Sequence, residues 1–148
     1  MSGPSYVVRV AEDAADREAC FAVRKEVFVG EQGVPEELEY DTYDADAVHV
    51  LAVREDGVPL GTGRLLRDGP SVGVLGRLAV TPKARGLGVG AVLVRAIEDA
   101  ARARGLGAME LHAQTHAVGF YERLGYEAYG SEYLEAGIPH RGMRRVLG

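Results

Sequence analysis

The 148-residue chain holds a single cysteine, Cys20. No intramolecular disulfide can form, and a reducing cytoplasm is the compartment that fits. No apolar run reaches the roughly 18 residues needed to cross a bilayer, which excludes a transmembrane helix. The opening MSGPSYVVRV has no basic stretch followed by an apolar core, so no signal peptide is visible. A positive excess is missing as well. Lys and Arg number 17 against 22 Asp and Glu, a net charge of −5, which argues against general nucleic-acid binding. Repeats, low-complexity tracts and linkers are also lacking, so the chain reads as one domain over residues 1–148. Its 47% hydrophobic and 26% charged content is that of a globular protein with a real core.

The charge is unevenly spread. Residues 31–46 contain no Lys or Arg but carry Glu31, Glu36, Glu37, Glu39, Asp41, Asp44 and Asp46. Such a run is usually a solvated loop; its functional reading is a field that favours a cationic amine. Lys83, Arg85, Arg95, Arg102 and Arg104 gather around and beyond a glycine-rich hexapeptide.

Hydrophobic periodicity and turn residues set out the elements. Tyr6–Val10 is a short strand. Asp13 caps a helix through about Val29, with Cys20, Val23, Val27 and Phe28 on one face. Gly30–Ala47 is a loop with a helical turn near Pro35–Leu38. VHVLAVRE and PLGTGRLL form a hairpin about Asp56-Gly57, and a turn at Asp68-Gly69-Pro70 leads into the strand Ser71–Val80. The next helix buries Val92, Leu93, Ala96, Ile97 and Ala100 and stops at Arg104-Gly105. Ala108–Ala113 is a strand, Ala117–Gly125 a short helix and YEAYG a strand; after a turn at Gly137-Ile138-Pro139, HRGMRRVL is the last strand. This order gives an α+β protein: a mixed, mostly antiparallel sheet flanked by helices.

Arg85-Gly86-Leu87-Gly88-Val89-Gly90 raises the sharpest question, because glycine in a helix costs about 1 kcal/mol relative to alanine. A tight turn, close packing or an anionic ligand against bare N–H groups would each account for it. A dinucleotide loop needs G-x-G-x-x-G and an acidic residue after the next strand, and neither is present. A P-loop needs Gly-Lys-Ser/Thr, also missing. Glycines without side chains at a helix N-terminus, with Lys83 and Arg85 beside them, do suit a diphosphate.

The hexapeptide matches the R/Q-x-x-G-x-G/A signature of the GNAT superfamily of acetyl-CoA-dependent N-acetyltransferases. GRLAVTP resembles that family's fourth strand and GFYERLGY its second signature, and nearly the whole chain follows the family's order of elements. RKEVFVGEQGVP, DADAVHVLA, LHAQTHAVGFYERLGY and EAGIPHRGMRR resemble its ElaA-like branch. The resemblance implies the GNAT fold, acetyl-CoA as co-substrate and a small-molecule or peptide amine as acceptor. It also implies that the fourth and fifth strands splay apart. The pantetheine arm would pair with Leu78, Ala79 and Val80. The diphosphate would rest on the N–H groups of Arg85, Gly86, Gly88, Val89, Gly90 and Ala91, beside Phe120. Tyr121 would be the general acid. For the base, Glu31, Glu39, His49, His112 and His140 are candidates, with His140 first and Glu31 second. A homodimer through the last strands would be common for relatives. The rival reading is a non-catalytic acyl-CoA-binding sensor on the same fold.

No metal is expected: His112 and His116 straddle a strand end and no H-E-x-x-H is present. Cys20, on an apolar helix face, reads as a buried inert thiol.

Overall fold

A computed structural model describes residues 5–148. Residues 1–4, which open the stretch read as lacking a signal peptide, lie outside it. Seven strands form one sheet in the order β1-β2-β3-β4-β5-β7-β6. They are β1 (Tyr6–Val10), β2 (Val48–Arg54), β3 (Pro59–Asp68), β4 (Val72–Val80), β5 (Ala108–Gln114), β6 (Glu127–Glu135) and β7 (Ile138–Val146). Every pairing is antiparallel except β4 with β5. The helices are α1 (Ala14–Arg24), α2 (Glu36–Glu39), α3 (Val89–Ala103) and α4 (Val118–Arg123). This is the GNAT fold, with the element order expected from the sequence.

Strand β2 shows why helices cover both faces. Alternate side chains point to opposite sides of a strand. Val50 and Ala52 join the cluster of Leu93 and Ile97 from α3, while Leu51 and Val53 pack with Cys20 of α1. Cys20 is fully buried, as an inert thiol should be. Among the described residues no helix is long and apolar enough to cross a membrane.

Four local departures have physical causes. Asp13 caps α1 by accepting from the Asp16 N–H, but the helical run outlasts Val29. Lys25–Glu31 continue it in wider π-helical turns, with the Gln32 N–H donating to Val27 O at 3.0 Å. On α3 the buried stripe runs through Val89, Leu93, Val94, Ile97 and Ala101, whereas Val92, expected inside, is exposed. At 100° per residue, Val92 falls off the stripe that Leu93 lies on. The short helix occupies only Val118–Arg123, after a 3₁₀ turn over Thr115–Ala117. Strand β6 extends well past YEAYG, and β7 begins at Ile138, so the turn is confined to Ala136 and Gly137. A register shift between Tyr129 and Tyr133 breaks the alternation that would have announced the longer strand.

The acidic stretch is a solvated loop only in part, because Glu39, Asp41 and Asp44 are drawn into ion pairs with arginines. Arg24 of α1 donates to Asp44 Oδ1 at 2.7 Å and to Glu39 O at 2.7 Å. Arg64 of β3 reaches Asp41 Oδ1 at 2.7 Å and Asp44 Oδ1 at 2.8 Å. Both guanidiniums are buried, and that of Arg24 lies 5.1 Å from the Phe21 ring centroid and 5.3 Å from that of Tyr40. Buried charges persist only when paired, and here they fasten residues 39–44 to the sheet. Burial works against the Asp44 carboxylate, but the Arg24 and Arg64 guanidiniums and the Asp41 N–H hold its carboxyl down to about 2.

That depression fixes a sign. The folded state binds the Asp44 proton more weakly than the unfolded chain, so the stabilisation is complete above the ordinary value of 3.8 and fades as pH falls toward 2. Asp44→Asn leaves two buried guanidiniums short of a partner and should lower stability by about 3 kcal/mol at neutral pH. In urea melts the gap from wild type should shrink below pH 4, toward the value of about 2 at which Asp44 itself protonates. A gap that stays constant with pH would contradict this.

Candidate active site

Two features of β4 create the site. Its pairing with β5 runs only from Val72–Ala108 to Leu75–Leu111, although both strands continue. The splay implied by the family resemblance is therefore present. Just beyond the last pair, β4 bulges against β3, with Arg77 at φ +52°. Such a conformation costs a non-glycine residue about 1 kcal/mol or more. The Arg77 side chain is tied down, donating to Glu39 O at 3.2 Å and Leu38 O at 3.4 Å. A bulge bends its strand, and β4 leaves β5 here.

The gap opens into a cleft of about 910 Å³, reached by Glu31, Gln32, Arg77, Leu78, Ala79, Val80, Tyr121 and His140. Beside it, a hollow of about 370 Å³ is lined by Gly86, Gly88, Val89, Gly90 and Ala91; Leu78, Val80, Arg85 and Phe120 border both spaces. The structure thus brings together every residue expected to hold the cofactor, and joins them to five of the acid–base candidates, Glu31, Glu39, His112, Tyr121 and His140.

The hexapeptide turns between β4 and α3. Gly86 at φ +87° and Gly88 at φ +77° adopt the left-handed conformation that glycine tolerates best. Gly88 caps α3 without any side-chain hydrogen bond. The Arg85 N–H reaches Pro82 O at 3.4 Å, and the next N–H to find a backbone carbonyl is that of Val92, on Gly88 O at 3.3 Å. Between them lies a run of open donors at the positive end of a 15-residue helix. Gly90 has a different reason. A Cβ there would stand 3.2 Å from Phe120 Cζ, so this glycine admits the aromatic ring. Val89, which also lines the hollow, is buried in the core.

Helix α4 supplies Phe120 and Tyr121, whose rings meet edge to face with centroids 5.0 Å apart. Tyr121 is 7% exposed. Among the described residues its hydroxyl has no hydrogen-bond partner, and burial pushes its pKa well above that of a free phenol. It stays protonated at neutral pH, with a proton to give.

His140 reaches the cleft from β7. Its Nδ1 lies 2.7 Å from Ile138 O, a carbonyl that can only accept, so Nδ1 carries the proton and Nε2 keeps its lone pair when the ring is neutral. Glu135 Oε2 stands 3.4 Å from Nε2, and Tyr133 stacks on the ring. His112 also borders the cleft but is tied through Nδ1 to the Tyr133 hydroxyl. Glu39 reaches the cleft wall and is almost fully buried; burial raises its pKa despite Arg77 and Arg24. His49 does not belong to the site. It is buried against Phe21, with Nε2 2.9 Å from Asp44 O. Glu31 is held by both terminal nitrogens of Arg85, at 2.6 and 2.5 Å.

Two contributors carry no local signal in the sequence. Gln32 and Gln114 exchange amide hydrogen bonds of 3.2 and 2.8 Å across 82 residues, bridging the end of the π-helical segment to β5. Arg77 is invisible as a bulge residue, because its surroundings are made by a distant loop. Among the described residues no group of three or more His, Cys, Asp or Glu is arranged to hold a metal.

Comparison with known proteins gives the same picture. The family model for the acetyltransferase (GNAT) domain matches residues 10–147. The Bacillus subtilis protein named uncharacterized N-acetyltransferase YjcF is 39% identical over 138 residues, 92% of this chain and 96% of that protein. A solved acyl-CoA N-acyltransferase from Pseudomonas aeruginosa superposes with a TM-score of 0.81 at 34% identity, covering 97% of this chain and 99% of the other. Escherichia coli ElaA superposes with a TM-score of 0.81 at 26% identity and the same coverage.

The left-handed turn makes a direct test. Gly88→Ala should destabilise the protein by about 1 kcal/mol, a fall of roughly 2–4 °C in Tm. Gly88→Asn should cost less, because asparagine tolerates this conformation better. Equal melting temperatures for the three proteins would show that the turn does not depend on its glycine.

Proposed function

The chain belongs to the GNAT acetyltransferase family, and on that footing we propose that it is a single-domain enzyme moving the acetyl group of acetyl-CoA to a primary amine. The family transfers acyl groups from acyl-CoA to amine acceptors; the acetyl group, the direct route and the residue roles are specific to this proposal. The observation that carries it is a convergence. The open N–H run of the hexapeptide lines a hollow that shares Arg85 and Phe120 with the cleft. The cleft holds both the edge of β4 left unpaired by β5 and the Tyr121 hydroxyl, unpartnered among the described residues.

On this reading the N–H groups from Gly86 to Ala91 take the diphosphate, and the main chain of Leu78, Ala79 and Val80 takes the pantetheine arm as an added strand. Phe120 walls the passage between the two spaces. The acceptor reaches the splayed gap as an ammonium, and His140 Nε2 removes one proton, with Glu135 placed to stabilise the resulting imidazolium. Attack forms the C–N bond, collapse breaks the C–S bond, and Tyr121 gives its proton to the departing sulfur. The second amine proton restores Tyr121, and His140 returns the first to solvent. Glu31, the second candidate for the base, is as a carboxylate a weaker proton acceptor than an imidazole, and in the free protein the Arg85 hydrogen bonds hold its carboxyl lower still. No acyl-enzyme is needed: Cys20 is buried on the far side of the sheet from α3.

The open hydroxyl of Tyr121 favours an enzyme over a silent acyl-CoA sensor on the same fold. Titration with acetyl-CoA should show binding in the micromolar range, and no binding would end the proposal. A thiol-release screen across amino acids, polyamines, amino sugars and peptides should identify the acceptor. Tyr121→Phe should lower turnover about 100-fold while leaving CoA affinity nearly intact; unchanged turnover would remove Tyr121 from the chemistry.

A further inference from the structure

Arg85 is the one charged residue of the hexapeptide, and its side chain is already committed. Its Nε donates to Val80 O at 3.2 Å, while Nη1 and Nη2 grip Glu31 from the end of the π-helical segment. Both partners are well exposed, 47% for Arg85 and 39% for Glu31. An exposed pair of this kind contributes little and is readily exchanged. Arg85 borders the hollow of open N–H groups as well as the large cleft, whereas Glu31 borders the cleft alone. An anion arriving on the hexapeptide therefore competes with Glu31 for the same guanidinium.

Resting on the acetyltransferase reading, we propose that Glu31 is the residue that receives the acceptor's ammonium group, masked by Arg85 in the free protein and released when the CoA diphosphate takes the guanidinium. The acceptor class is then a cationic amine, and CoA binding creates its site. The Gln32–Gln114 amide pair holds the neighbouring position to β5, so Glu31 stays over the cleft once Arg85 turns away. A half-exposed carboxylate remains an anion at neutral pH once Arg85 turns away.

The test compares CoA with pantetheine, which lacks the diphosphate, by calorimetry on the full chain. Glu31→Gln frees Arg85 and should tighten CoA about two- to fivefold while leaving pantetheine unchanged. In an Arg85→Gln background the same substitution should have no effect on CoA. An unchanged CoA affinity, an equal change for pantetheine, or an effect that persists without Arg85 would each overturn the exchange. Carbon-13 detection of the Glu31 carboxyl reads the second half of the proposal. n-Butylamine, added as its ammonium, should shift that resonance in the CoA complex and leave it unmoved in the free protein. Failure to shift it in the complex would overturn the ammonium role. A wild-type protein that binds neither CoA nor pantetheine would overturn the acetyltransferase reading itself.

Discussion

The parting of β4 from β5 is the constraint on which the rest depends. Without it the sheet would close over the cleft that Tyr121 and His140 line. Parallel strands part only if one of them bends, and β4 bends at Arg77, a residue in a conformation that disfavours any side chain. The strain persists because the guanidinium is bonded to carbonyls of residues 38 and 39, and that segment is itself pinned by Arg24 and Arg64. The acidic stretch thus supports the gap. Three arginines, from α1, β3 and β4, converge on it so that one strand can leave its neighbour.

This changes the meaning of the charge distribution. A run of seven carboxylates with no intervening base suggests a broad negative field. Five of the seven are instead paired with a Lys or Arg, and those at positions 39, 41 and 44 are drawn into a cluster with Arg24, Arg64 and Arg77, leaving little of that field at their end of the cleft. On the proposed reading, recognition of a cationic acceptor rests on an individual group, Glu31, rather than on a broad field. Glu98 of α3 makes the same point elsewhere: it is fully buried, yet satisfied by Arg95, Arg145 and Tyr126. In this protein buried carboxylates serve the architecture.

Much of this was legible in the sequence. The order of elements along the chain, the capping Asp13, the hexapeptide turn and the GFYERLGY helix all rest on local patterns of periodicity and turn residues, which folding preserves. The residues expected to hold the cofactor were legible for the same reason, as they sit within contiguous motifs. What stayed hidden depends on long-range pairing. Nothing near Arg64 announces that it will meet Asp44, and nothing near Gln32 announces Gln114. His49 was equally opaque; a histidine on a strand can face a cleft or a neighbouring ring, and only the placement of Phe21 decides. The longer β6 was missed because its register shift destroys the alternation by which a strand is recognised. The third glycine of the hexapeptide shows a subtler limit. All three read as one device, but two serve the turn and the third serves Phe120.

The ion pairs of the molecule fall into two physical kinds, and the division follows function. Around Arg24 and Arg64 the charges are enclosed, and losing a partner would leave an uncompensated ion in a poorly solvated place. Such pairs cannot be exchanged without loss of structure, and they sit where the fold must stay fixed. Arg85 and Glu31 are half in water, so solvent can cover either group when the other leaves. That pair stands between the open donors of the hexapeptide and the cleft, where a ligand must be able to intervene. Burial thus separates the charges that hold the site from those that can respond to it.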